Sequence, residues 1–177
     1  MGFFERVVDY FKADPTQSWP VSMQKELIFN FADRTVNGAT FENSFRTLEV
    51  FGKPNNDRPL YDRIFQYFQH GLVVELENEE KIDFFAFVFQ NDEFQKDEHF
   101  VEAKASFVNA EGKILSLSKS TSMNDITVYM GDPRKIDEDP EETILFFKID
   151  DLIIEWELTP AKNLKRVNIF MASKMIG

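Results

Sequence analysis

Hydrophobic positions change period several times along this chain, and each change marks an element. Phe3, Phe4, Val7, Val8 and Phe11 recur at helical spacing, with Glu5, Arg6, Asp9 and Lys12 opposite. They predict an N-terminal helix that Asp14-Pro15 ends, since proline disfavours a helical residue before it. Its polar face is not basic, so packing on its own domain is expected rather than docking on lipid. Leu27, Phe29 and Phe31 then alternate as in a strand. Asn37-Gly38 predicts a hairpin, because both residues tolerate positive φ, with residues 39–41 returning. Phe45, Leu48 and Phe51 at spacing three predict a short helix, capped by Asn43 or Ser44 and closed by Gly52 and Pro54. Beyond a polar loop, residues 64–69 and 72–76 predict strands meeting near His70-Gly71. Residues 82–89 are almost continuously apolar and predict a strand buried on both faces.

The second half runs through the same plan. Val101, Ala103, Ala105 and Phe107 alternate, residues 109–112 turn, and Ile114, Leu115 and Leu117 return. Ser122 and Asp125 are spaced as a capping box ahead of Met123, Ile126, Tyr129 and Met130. Residues 143–149 and 152–158 predict strands, and Val167, Ile169 and Met171 a last one. The segments Val50-Phe51-Gly52-Lys53-Pro54 and Tyr129-Met130-Gly131-Asp132-Pro133 look like one joint used twice. Residues 67–76 lie over 147–156 without a gap, eighty positions apart, and Gly52 and Gly131 are seventy-nine apart. An internal repeat is therefore predicted. The expected fold is α+β: two related units, each a short helix plus antiparallel strands, forming one pseudo-symmetric domain. The expected boundaries are 1–22 for the N-terminal helix and connector, 23–90 for the first unit, 91–100 for an acidic connector, and 101–177 for the second unit.

Composition changes this picture in three ways. Twenty phenylalanines among 177 residues imply an aromatic core. A formal net charge of −11 repels phosphate backbones and anionic lipid. That argues against nucleic-acid and membrane partners, and an acidic surface either favours a basic partner or simply keeps the protein soluble, the commoner reason. The absence of cysteine removes disulfides, thiolate nucleophiles and thiolate metal sites. The opening residues lack a secretory pattern and no apolar run is long enough to span a bilayer, so a cytoplasmic location is expected.

Candidate chemistry is sparse. His70 and His99 are the only imidazoles, the first at a predicted turn and the second among acids. The acidic clusters 92–99 and 137–142 lack the alternating ligand spacing of a calcium loop, and no histidine set suits zinc. Gly52 and Gly131 are single glycines, not a phosphate-binding loop. No cofactor or metal is expected. Glu75 and Glu155 occupy matching places in the two units. Their default use is the solvent face of a sheet, and the sharper one a carboxylate pair of the hydrolase kind. The favoured function is binding of a basic partner, steered by Asp92, Glu93, Asp137, Glu138, Asp139, Glu141 and Glu142, with Phe94 and Phe100 as aromatic anchors. The alternative is a small-molecule binder or enzyme using a groove between the units, with Glu75, Glu155, Tyr67 and His70 inside it. A structural subunit with a large apolar interface is a third possibility.

The order of strand, Asn-Gly turn, short helix, Gly-Lys-Pro joint, polar loop and aromatic strand resembles bacterial domains of unknown function with a Leu/Phe-Gly-Lys-Pro motif before a Tyr-rich strand. More loosely, it is similar to the repeat unit of the β-lactamase-inhibitor protein and the outer-membrane assembly lipoproteins. Those enter the joint through two helices and often use disulfides or lipid anchors. The likeness covers residues 27–89 and, more weakly, 101–171. It implies a bacterial, non-enzymatic, protein-binding module of the toxin-immunity kind, and no functional residue carries over.

Overall fold

The computed structural model describes residues 14–172, apart from 22, 24, 42, 79 and 91–98. The expected N-terminal helix and most of the acidic connector lie outside the described residues. Twelve strands are present among the described residues, in two sheets. The first sheet holds β1 (Leu27–Asn30), β2 (Thr35–Val36), β3 (Ala39–Thr40), β7 (Ala105–Val108) and β8 (Ile114–Leu117), in the order β3-β2-β1-β7-β8. The second holds β4 (Ile64–Tyr67), β5 (Leu72–Leu76), β6 (Ile82–Val88), β9 (Lys135–Glu138), β10 (Thr143–Ile149), β11 (Leu152–Leu158) and β12 (Leu164–Met171). Its order is β4-β5-β6-β12-β11-β10-β9. The architecture is α+β, as the sequence predicts.

Local signals translate directly. Asn37 and Gly38 take φ of 51° and 90°, the double positive φ of a tight hairpin between β2 and β3. Ser122 and Asp125 complete the capping box at the start of the helix Met123–Met130. The first unit differs: Phe45–Phe51 is a 3-10 helix, not an α-helix. A strict spacing of three suits it, because side chains three apart eclipse in a 3-10 turn and all three point one way. Phe45, Leu48 and Phe51 are all buried.

The two joints share a backbone conformation. Gly52 has φ 77° and ψ −162°, and Gly131 has φ 85° and ψ −157°. That region is accessible almost only to glycine. A Cβ at Gly131 would meet nothing within 4 Å, so Gly131→Ala isolates backbone strain. It is expected to lower unfolding free energy by about 1–3 kcal/mol. A urea midpoint equal to that of the parent protein would refute the assignment.

Strand registers show how the units meet. β1 and β7 run parallel and in step, Leu27 beside Ala105 and Phe29 beside Phe107. β6 and β12 run antiparallel with Phe85 beside Ile169. Within the units Val74 pairs with Phe85 as Ile154 pairs with Ile169. Phe85 and Ile169 therefore occupy matching places and face one another, as a two-fold through the seven-stranded sheet would place them; the parallel β1/β7 pair does not follow that two-fold. The ungapped match holds for β5 and β11 and fails one strand earlier. Leu72 pairs with Tyr67 across residues 68–71, whereas Leu152 pairs with Ile149 across Asp150-Asp151. Tyr67 thus corresponds to Ile149 rather than to Phe147. The slip is two residues, so every side chain keeps its face.

The main core fills the space between the sheets. Phe29, Phe31 and Phe107 of the first sheet side meet Phe65, Phe85, Phe87, Leu152, Ile154 and Trp156 of the second. β6 is buried on both faces, with Phe85 and Phe87 in the main core and Ala86 and Val88 in a second cluster with Val73. No helix among the described residues is long and apolar enough to cross a membrane.

Candidate functional site

The residues expected to bind a partner separate into three groups. Asp92, Glu93 and Phe94 lie outside the described residues. Phe100 packs against Val73, Ala86 and Val88 and so closes a small core. Asp137, Glu138, Asp139, Glu141 and Glu142 come together at the edge strand β9 and its turn into β10. Much of their charge is offset locally. Lys135 pairs with Asp137 at 2.5 Å, Lys162 with Glu138 at 2.5 Å and Lys165 with Glu142 at 2.9 Å. Asp139 accepts the backbone N–H groups of Glu141 and Glu142 at 2.8 and 2.9 Å. The backbone bonds from Glu142 and Glu141 lower its pKa. These exposed pairs add little to stability, but they leave this tip less acidic than its composition suggests.

The four residues of the expected groove do not converge. Tyr67 and His70 are fully buried in the core. Glu75 and Glu155 share the outer face of the seven-stranded sheet, but β6 and β12 separate their strands. Three strand spacings and an offset of two residues along the strands, Glu75 being level with Ile153, place their backbones roughly 16 Å apart, too far for the ~5–9.5 Å carboxylate separation of glycosidases. Glu155 instead sits beside Asn168, whose Nδ2 lies 3.5 Å from Glu155 Oε2 and donates to Glu157 Oε1 at 2.6 Å. Burial, with Glu157 adding repulsion, raises the pKa of Glu155 against the lowering effect of Asn168.

His70 is a structural cross-tie. Its Nδ1 accepts the Lys25 N–H at 3.2 Å, and its Nε2 lies 3.1 Å from the Phe51 carbonyl oxygen. That pattern selects the neutral tautomer with the proton on Nε2. Burial, helped by the Lys25 ammonium, lowers the His70 pKa below 6.5, against the raising effect of the Phe51 carbonyl. The unfolded chain therefore takes up this proton first as pH falls. The contribution of His70 to stability is complete above about pH 6.5 and shrinks as pH drops from there through the lower folded-state value. Urea titrations at pH 7.5 and 5.5 should show a loss of stability at the lower pH that His70→Gln reduces. An identical pH dependence in parent and variant would exclude this role.

The structure offers a different surface. The outer face of the seven-stranded sheet is buried along its middle, at Val73, Ala86, Val88 and Ile153. The outer face of the five-stranded sheet is open: Ile28 on β1 is 42% exposed and Ile114 on β8 is 62% exposed. Beside them a concavity of about 560 Å³ opens at the parallel β1/β7 junction, where the two units meet. Glu26, Glu102, Lys104, Ser106, Ser116 and Ser118 line it, together with Val101. Ser106 Oγ donates to Glu26 Oε1 at 2.5 Å, and Glu102 pairs with Lys119 at 2.7 Å. Periodicity places Ile28 and Ser106 on the outer face of their strands, but only the pairing of β1 with β7 joins them into one surface.

No family model matches the chain, and no curated protein matches it. Among solved structures, the chain is similar to a DUF4309 family protein (YjgB) from Bacillus subtilis subsp. subtilis str. 168, whose crystal structure was determined at 2.13 Å resolution. The TM-score is 0.50 with 14% sequence identity, covering 77% of this chain and 84% of that one. At that identity the likeness is one of fold alone.

Proposed function

We propose that the protein is a non-enzymatic binding module of the immunity or inhibitor type that recognises a basic partner protein. The observation that supports this best is the open outer face of the five-stranded sheet. It presents Ile28 and Ile114 to solvent, beside a concavity that Val101, Glu26, Glu102 and Lys104 help to line. A patch of exposed aliphatic side chains with a polar rim is the usual make-up of a docking surface. The net charge of −11 adds long-range attraction for a cationic partner.

The test uses immobilised protein and a lysate of the source cells. A basic protein should be retained at low salt, released as ionic strength rises, and lost in the Ile28→Asp, Ile114→Asp double variant. Ile28 is 42% and Ile114 62% exposed, so that variant should stay folded, which its cooperative thermal unfolding checks. Equal retention by the variant, or none by either protein, would overturn the proposal. A second reading draws on the concavity at the unit junction: a small polar ligand held by Glu26 and Ser106. Chemical-shift changes confined to Ala103, Ser106 and Leu117 on addition of small metabolites would favour it.

A further inference from the structure

The four lateral edges of the two sheets are treated very differently. β4 is sealed: Asn55 N–H donates to Gln66 O at 2.7 Å, and Asn55 Oδ1 accepts from Phe68 N–H at 2.8 Å. Asn56 completes the seal, its Nδ2 donating to Ile64 O at 2.7 Å and its Oδ1 accepting from Gln66 N–H at 3.0 Å. β9 carries Lys135, Asp137 and Glu138, the charged side chains that natural edges use to discourage pairing. β3 is two residues long. β8 has none of these defences; its sequence is Ile-Leu-Ser-Leu.

Its hydrogen-bond phase follows from the turn. Asn109 N–H donates to Lys113 O at 3.0 Å, so the pair Asn109–Lys113 faces inward, as do Phe107–Leu115 and Ala105–Leu117 two and four residues on. Val108 O bonds Phe31 N–H on the other side of β7, which agrees with that phase. The N–H and C=O groups of Ile114 and Ser116 therefore point away from the sheet. None of them has a protein partner among the described residues. Both residues are exposed.

We propose that the edge of β8 accepts an extended strand of the basic partner, enlarging the five-stranded sheet to six. The inference rests on the reading of the protein as a binder of a basic protein and adds the mode of recognition. Strand addition would use the four outward groups of Ile114 and Ser116 for affinity and alternate side chains for choice. Side chains rising on the outer face would enter the concavity lined by Ser116, Ser118 and Glu26. There the Glu26 carboxylate accepts from Ser106, and the two acids of the lining, Glu26 and Glu102, outnumber its one lysine, Lys104, so Lys or Arg is the complementary choice. Side chains on the inner face would extend the apolar surface of Leu115 and Leu117, which suits valine or isoleucine. A second copy of this chain would bring another net charge of −11 to the same edge, which disfavours it as the occupant.

The probe is a fluorescein-labelled acetyl-Lys-Val-Lys-Val-Lys-Val-Lys-amide, compared with the same peptide N-methylated at its lysines or, in a separate version, at its valines. The parent protein should bind the unmodified peptide, more weakly as salt rises, and the Ile114 and Ser116 amides should exchange more slowly when it is bound. One of the two methylated peptides should bind at least about tenfold more weakly. Ser116→Pro removes an outward donor while sparing the ladder to β7, as proline does on an edge strand, and should weaken binding similarly. Binding that ignores both methylation patterns, or unchanged exchange at Ile114 and Ser116, overturns the strand-addition proposal and leaves the basic-partner reading intact. Absence of any binding at low salt overturns both. If Ser116→Pro does not fold, the methylated peptides on the parent protein still decide.

Discussion

Phe107→Ala is expected to lower the unfolding free energy by about 4 kcal/mol, near the upper end for a large-to-small core substitution. Phe107 is fully buried on β7, in the strand pair where the two units run parallel. Its ring lies 5.3 Å from Phe29 and 5.7 Å from Phe31 on its own sheet side, and 5.4 Å from Phe87 and 5.3 Å from Trp156 across the core. Truncation removes apolar contact with four aromatic rings at once. Those rings come from β1, β6, β11 and the turn after β1, so no single shift of one element can refill the space. The cavity term therefore adds to the transfer term instead of being relaxed away. Phe107→Leu keeps most of the volume and should cost less than half as much. Urea unfolding monitored by tryptophan fluorescence provides the measurement. A loss below about 1.5 kcal/mol for the alanine variant would mean that Phe107 is not the hub described here.

The second large effect is expected at Gly71. Its φ of 61° is left-handed, and a Cβ built there would lie 2.5 Å from Ala103 N and 2.8 Å from Val88 O. Both neighbours are backbone atoms, so no side-chain rotation relieves the clash. The crowding is built by a short hydrogen-bond relay. Val88 N–H donates to Gly71 O at 2.8 Å, Ala103 N–H donates to Val88 O at 3.0 Å, and Val101 N–H donates to Phe68 O at 2.9 Å. The segment leading into β7 is thereby laid across the β4–β5 turn. Gly71→Ala must push these backbones apart and break part of the relay, with an expected loss on the order of 4 kcal/mol. Gly71→Asn gives a sharper contrast. Asparagine tolerates a left-handed φ, so it would rescue a purely conformational requirement, but it should fail here as alanine does. Hydrogen exchange at Val101 and Ala103 should accelerate in any folded variant. Rescue by asparagine would show that φ, not the close approach, dictates glycine.

These two positions show what a sequence reader can and cannot see. Phe107 is legible as a core strand residue because alternation with Ala103 and Ala105 is a local pattern. Its place as a hub is not legible, because alternation says which face a side chain takes and nothing about which strand lies next door. Gly71 reads as a turn glycine, and its positive φ bears that out. The reason it tolerates no Cβ is a segment some thirty residues further on, Ala103 against Gly71.

The candidate site follows the same division. That Glu75 and Glu155 share a face can be read from period two. Their separation depends on β6 and β12 lying between their strands, which is a fact of sheet order. The acidic run 137–142 is visible at once, whereas its lysine partners Lys162 and Lys165 arrive from the β11–β12 turn and β12. Slow drift in the repeat is similarly hidden. The match of 67–76 to 147–156 is correct in β5 and β11 and two residues out in the strand before, because the two hairpins use turns of different length.

By itself, the sequence determined what depends on a residue and its near neighbours: the Asn37-Gly38 hairpin, the Ser122–Asp125 cap, the two glycine joints and the alternation that buries one face of each strand. Tertiary structure alone decided which strands adjoin, that the parallel β1/β7 pair joins the units, that the outer face of one sheet is open, and that β8 is left with an unguarded edge. The reason is that local preferences act through φ, ψ and side-chain spacing over a few residues. Strand order and edge exposure are settled by burial summed over the whole chain.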